Sequence, residues 1–164
     1  MNSAETLKVT TPTDREVVMT RVFDAPRHLV FEAYTNPEHL KRWLLGPPGW
    51  EMVVCQVARK VGERYRYEWR NAKGTQFGIG GVCREFTPPE RIVSSEFMDG
   101  YPSESQTTVV LTEQDGKTTL TLTILYESRE VRDTALKTGM EHGVKASYDR
   151  LAALLGSGLA SAHA

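Results

Sequence analysis

Two cysteines in 164 residues, Cys55 and Cys83, are too few and too far apart for a disulfide framework. Each lies inside an apolar run, which reads as a buried free thiol rather than half of a bridge. The four histidines, His28, His39, His142 and His163, have no ligand spacing with one another or with the cysteines. No metal site and no cofactor are indicated. No apolar stretch approaches the roughly 20 residues of a membrane span. The opening segment MNSAETLKVTTPTDRE has neither the basic start nor the apolar centre of a secretory leader, so a cytoplasmic protein is expected. An excess charge of one sign is also missing. Twenty Lys and Arg against 21 Asp and Glu leave −1, which argues against a nucleic-acid partner held by bulk electrostatics. There is no repeat, linker or low-complexity block between the two ends.

What is present is an ordinary globular composition, 40% hydrophobic and 25% charged. A chain of this length buries nearly 70% of its unfolded surface and needs neither metal nor bridge to hold a core. Residues 1–14 are polar and aperiodic and the tail 156–164 is small-residue rich; both read as disordered ends around one domain, 15–155.

The run EVVMTRVF, 16–23, predicts a strand. Pro26 then opens a short helix with Leu29, Val30, Ala33 and Tyr34 at helical spacing. Asn36-Pro37 caps and starts a second, which Gly46-Pro47-Pro48-Gly49 ends. From Trp50 to Tyr126 strand runs at about 50–57, 63–70, 75–86, 91–98, 105–113 and 117–126 alternate with turn residues, Asp115-Gly116 giving the clearest hairpin signal. Apolar and polar residues alternate in Tyr65-Arg66-Tyr67-Glu68-Trp69 and in Leu120-Thr121-Leu122-Thr123-Ile124, which predicts one covered and one wet face. Leu136, Met140, Val144, Ser147, Leu151 and Leu155 then recur every three or four residues, predicting one long helix over about 128–155. The expected class is α+β: a curved antiparallel sheet of about seven strands around a long C-terminal helix, with two short helices after the first strand.

This order of elements, together with Asp24-Ala25-Pro26, Val30-Phe31-Glu32-Ala33, Asn36-Pro37-Glu38-His39-Leu40-Lys41-Arg42-Trp43, Gly46-Pro47-Pro48-Gly49-Trp50, Phe86-Thr87-Pro88-Pro89-Glu90-Arg91 and Gly139-Met140-Glu141-His142-Gly143, resembles the START-like domains of the SRPBCC superfamily. More narrowly, it is similar to the activator of Hsp-ninety ATPase homologue family, whose bacterial members are also called polyketide cyclase-like. The resemblance implies a helix-grip fold and a hydrophobic cavity between helix and sheet that takes a small hydrophobic molecule, with no shared set of catalytic residues. A chaperone partner is not expected, because the chain leaves no room for the separate chaperone-binding domain of the eukaryotic co-chaperone. Pairing of two copies stays open.

Trp43, Tyr65, Tyr67, Trp69, Phe77, Phe97, Met140 and Val144 are the expected cavity lining; the alternative is that they fill a solid core. His142, Glu96 and Tyr67 are the acid–base candidates for an enzyme of cyclase or dehydratase type, with a surface histidine as the plain alternative at 142. Gly139 and Gly143 within the expected helix suggest a kink or a close packing contact. Gly78-Ile79-Gly80-Gly81 lacks a phosphate-loop spacing and reads as a bulge or bend. Arg21, in an apolar strand, is expected to bond a carboxylate such as Glu32 or Glu96.

Overall fold

The computed structural model describes residues 6–158. Residues 1–5 of the expected N-terminal tail and 159–164 of the C-terminal one, His163 included, lie outside the described residues. The elements are β1 (Lys8–Thr10), β2 (Glu16–Phe23), α1 (Arg27–Thr35), α2 (Pro37–Trp43), β3 (Trp50–Gln56), β4 (Arg64–Asn71), β5 (Gln76–Thr87), β6 (Arg91–Met98), β7 (Glu104–Gln114), β8 (Lys117–Leu125), α3 (Arg129–Lys137) and α4 (Met140–Gly156). All strands join one antiparallel sheet in the order β1-β2-β8-β7-β6-β5-β4-β3.

The sheet has eight strands rather than about seven. The extra one is β1, inside the stretch expected to be disordered. Its Lys8, Val9 and Thr10 pair with Thr20, Met19 and Val18. Three residues carry almost no periodicity, so only the waiting edge of β2 makes the strand visible.

The local chemistry of the two short helices follows the sequence closely. Pro26 sits just ahead of α1 as its N-cap, and its carbonyl accepts from the amides of Leu29 and Val30. The Asn36 side chain accepts from the Glu38 amide at 2.9 Å, with Pro37 at the first helical position. Between β7 and β8, Asp115 and Gly116 both take positive φ, 53° and 77°, as a two-residue hairpin turn demands.

The expected long helix is broken in two. Gly139 adopts φ 77°, ψ 23° between α3 and α4, a left-handed conformation open to glycine and costly to other residues. The hydrophobic period continues through the break, which is why the stripe reads as one helix. Its two halves serve different clusters. Val131, Ala135 and Leu136 of α3 pack on Val17, Met19, Ile124 and Tyr126. Tyr148, Leu151, Leu154 and Leu155 of α4 join Phe23, Val30, Trp43, Leu111 and Leu120 in the main core. The first turns of α4 are less deeply packed: Met140, Gly143 and Val144 are half-buried. That is where a cleft opens beside the helix.

The glycines of β5 do not form a bulge; the register shift falls later, between Cys83 and Glu85. Gly81 instead permits a close approach. A Cβ there would lie 1.9 Å from the Ser95 carbonyl oxygen and 3.0 Å from the Tyr65 ring.

Candidate functional site

Strand register decides which side chains share the concave face under α4. Leu120 and Leu111 are paired and belong to the helix-packed core, as do Leu122 and Val109. From Val109 the pairing passes to Ile92, and with the two-residue alternation it brings Ser94 and Glu96 to the same face, Glu96 opposite Ser105. In β4 and β5, Trp69 pairs with Phe77, Tyr67 with Ile79 and Tyr65 with Gly81. Tyr65, Tyr67, Trp69, Phe77 and Glu96 therefore look inward.

A cleft of about 370 Å³ opens between this face, the start of α4 and the loop after α2. Trp69 and Phe77 stack at its floor, centroids 5.3 Å apart with ring planes at 22°, and Trp50 meets Phe77 edge-on at 6.4 Å. Met140, Gly143 and Val144 form the opposite wall. Polar groups are few. The Tyr34 and Tyr148 hydroxyls bond each other at 2.7 Å, and burial raises the pKa of both. The Trp69 indole donates to the Leu44 carbonyl at 2.7 Å, which fixes the ring and ties the loop to the sheet.

The Gly46-Pro47 turn is clamped on α4. The Gly46 amide donates to Ser147 Oγ at 2.9 Å, and Arg150 donates to the Gly46 carbonyl at 2.7 Å. A Cβ at Gly143 would lie 3.4 Å from Pro47 Cδ. That is an ordinary contact distance, so α4 lies against this loop without requiring a glycine, and the loop forms one lip of the cleft.

Of the expected lining, Trp69, Phe77, Met140 and Val144 border the cleft. Trp43 does not. It is fully buried, edge-on to Tyr34 at 4.8 Å, and its indole donates to the Ala33 carbonyl at 3.0 Å, so it pins α2 to α1. Tyr65 and Tyr67 continue the aromatic row deeper along the concave face. Tyr67 lies edge-on to Trp69 at 6.2 Å, and Tyr65 is 5.3 Å from Tyr67. Phe97 falls on the outer face, 47% exposed and opposite Gly80, because Glu96 beside it takes the inner side. There it borders a broader groove of about 640 Å³ with Arg15, Arg84, Glu104 and Gln106. The larger hollow is thus charged and lies away from the aromatic row.

The acid–base candidates separate. His142 is exposed on α4 and is not among the residues that line the cleft. Glu96 and Tyr67 do share that face. Burial lifts the Glu96 carboxyl to about 7, and burial, together with Cys55 and Glu96 nearby, raises the Tyr67 hydroxyl. Among the described residues no hydrogen bond reaches the Glu96 carboxyl or the Tyr67 hydroxyl, and no three His, Cys, Asp or Glu residues gather as a metal site. Arg21 pairs with neither Glu32 nor Glu96; its Nη1 donates to Asp149 of α4 at 2.5 Å. That carboxylate comes from the helix over the sheet, a neighbour set by tertiary packing. Sequence reasoning also missed Tyr34, Tyr148, Leu44 and Leu45 as cleft lining; Tyr34 reads only as one of the apolar positions of α1.

A family model described as activator of Hsp90 ATPase homolog 1-like protein matches residues 24–156. A Rhodobacter sphaeroides protein of known structure is 26% identical with a TM-score of 0.88, covering 92% of this chain and 98% of its own. A Chromobacterium violaceum protein is 27% identical with a TM-score of 0.76, covering 87% of this chain and 97% of its own. The AHSA1 protein of Silicibacter pomeroyi, 20% identical with a TM-score of 0.71 over 86% of this chain and 97% of its own, shares the fold. No curated protein matches the chain.

Proposed function

The chain belongs to the activator of Hsp90 ATPase homolog 1-like family, and from that premise we propose that it binds a small hydrophobic molecule in the cleft between α4 and the concave sheet. The observation that carries this reading is the cleft itself. Its volume of about 370 Å³ falls within the range of small-molecule sites, and its walls are chiefly aromatic and aliphatic. An apolar guest gains free energy by removing its own surface and that of Trp50, Phe77, Met140 and Val144 from water. The stacked Trp69–Phe77 pair and the loop clamped by Ser147 and Arg150 hold the walls in place beforehand, which lowers the ordering cost of binding.

An uncharged environment-sensitive probe, N-phenyl-1-naphthylamine, tests this. Its fluorescence should rise on binding the wild-type chain, and Val144→Trp should weaken binding by at least about tenfold while thermal unfolding stays cooperative. Equal binding by the filled variant, or no binding by the wild type, overturns the reading.

A further inference from the structure

We propose that Glu96 anchors the polar end of the ligand, so that the molecule taken by this site is an apolar body carrying a protonated amine. This rests on the binding reading above and adds the chemical class of the guest.

Glu96 stands on the concave face with the aromatic row, opposite Ser105 in the β6–β7 ladder. Protein surrounds it, yet part of its surface stays accessible; it lies beyond the walls of the cleft itself, on the face that the aromatic row continues along. Two nearby hydroxyls are committed elsewhere, while that of Tyr67, on the same face, makes no hydrogen bond among the described residues. Tyr65 donates to the Ser95 carbonyl at 2.7 Å, and Tyr126 donates to Met140 Sδ at 3.4 Å. Each raises its own pKa in the field of Glu96, Tyr126 up to about 12 with burial the larger cause in both. Several carboxylates of the neighbouring strands do have cations: Glu68 and Asp99 share Arg66, Glu51 has Arg70 and Glu85 has Arg91. Among the described residues no Lys, Arg or His forms an ion pair with Glu96.

A buried carboxyl with unused acceptor capacity is costly for the protein alone, and a cationic N–H donor removes that cost. Met140 borders the cleft and also takes the hydrogen bond of Tyr126, which feels the charge of Glu96. An unbranched thioether can change rotamer to let a chain pass. The apolar part of the guest would then lie on Trp69 and Phe77, with its ammonium group at Glu96.

The test is competition against N-phenyl-1-naphthylamine near pH 8, using n-octylamine, 1-octanol and octanoate. Octylamine should displace the probe at least about tenfold more effectively than octanol, with octanoate weakest. Glu96→Gln should erase the preference for amine, read as the ratio of octylamine to octanol competition on that same variant. As a measurement free of substitution, the Glu96 side-chain carboxyl carbon should titrate at lower pH when octylamine saturates the site. Probe binding without amine preference, a preference that survives in Glu96→Gln, or a titration that ignores the amine overturns the assignment and leaves the cleft reading standing. Absence of probe binding overturns both.

Discussion

Trp69 and Phe77 face each other across the β4–β5 ladder in a stacked pair, 5.3 Å between centroids, and the Trp69 indole N–H reaches across to the Leu44 carbonyl. One side chain therefore forms cleft floor and holds the loop at its lip. Trp69→Phe keeps an aromatic side chain but gives up part of the indole's packing and leaves that carbonyl without its donor. Stability should fall by about 1 kcal/mol, and probe affinity by several-fold as the lip loosens. Denaturant unfolding and probe titration on the same variant measure both; a loss of stability with unaltered binding would separate the loop from the site.

Two glycines four residues apart should respond oppositely. At Gly139, φ of 77° disfavours any side chain, so Gly139→Ala should destabilise by about 1–2 kcal/mol. Gly143 lies within α4, where a Cβ meets Pro47 Cδ at 3.4 Å, an ordinary contact. Gly143→Ala should stabilise by up to about 1 kcal/mol through helix propensity. Thermal melts decide it, and destabilisation by both would mean that the loop cannot accommodate even a methyl group.

The contrast between these positions explains what could be read from the sequence. The strand runs, the Asn36 cap and the Asp115-Gly116 turn are local, and their residues announce them without help from the rest of the chain. The helix break is local too, but a glycine in an unbroken hydrophobic period reads equally as tolerated helix. Partnerships across the fold were out of reach. Nothing near Arg21 in sequence indicates Asp149, 128 residues away. Inward and outward placement in β6 depends on pairing register, and Phe97 is the more apolar of two neighbours of which Glu96 is the one turned inward. In β4 the alternation is unambiguous, so the Tyr65-Tyr67-Trp69 face was legible.

Arg21 is almost fully buried while Asp149 is 46% exposed. Asp149→Asn should therefore cost about 1–3 kcal/mol, less than a fully buried pair, because water reaches the acidic side and screens it. Partial desolvation pushes the Asp149 carboxyl up, but hydrogen bonds from Lys145 and Arg21 outweigh it and leave the carboxyl below its ordinary value. This contribution is present above the unfolded pKa and disappears as pH falls through the lower folded value. Wild type and Asp149→Asn should converge in stability in strong acid; a constant gap would deny the ionic origin.

Glu96 carries the opposite sign. Its folded pKa, about 7, exceeds the ordinary 4.5 because of burial. The unfolded chain releases this proton first, so the group lowers stability progressively from about pH 4.5 to 7 and fully above that. The facing groups, Tyr65 and Tyr67 from β4 and Tyr126 beyond β8, stay protonated throughout this range. Glu96→Gln should stabilise the chain near pH 8 by no more than about 3 kcal/mol and flatten the decline. Chemical denaturation across this interval measures it. An identical pH profile in the variant would show that Glu96 is solvated and ordinary.

The most direct test of the binding cleft is native mass spectrometry of the full chain as purified from cells, beside Val144→Trp. A ligand-binding protein should carry a reproducible small-molecule adduct that the filled cleft loses while remaining folded. A wild-type chain that flies only at its bare mass, or an adduct that persists unchanged in Val144→Trp, would contradict a ligand site between α4 and the sheet.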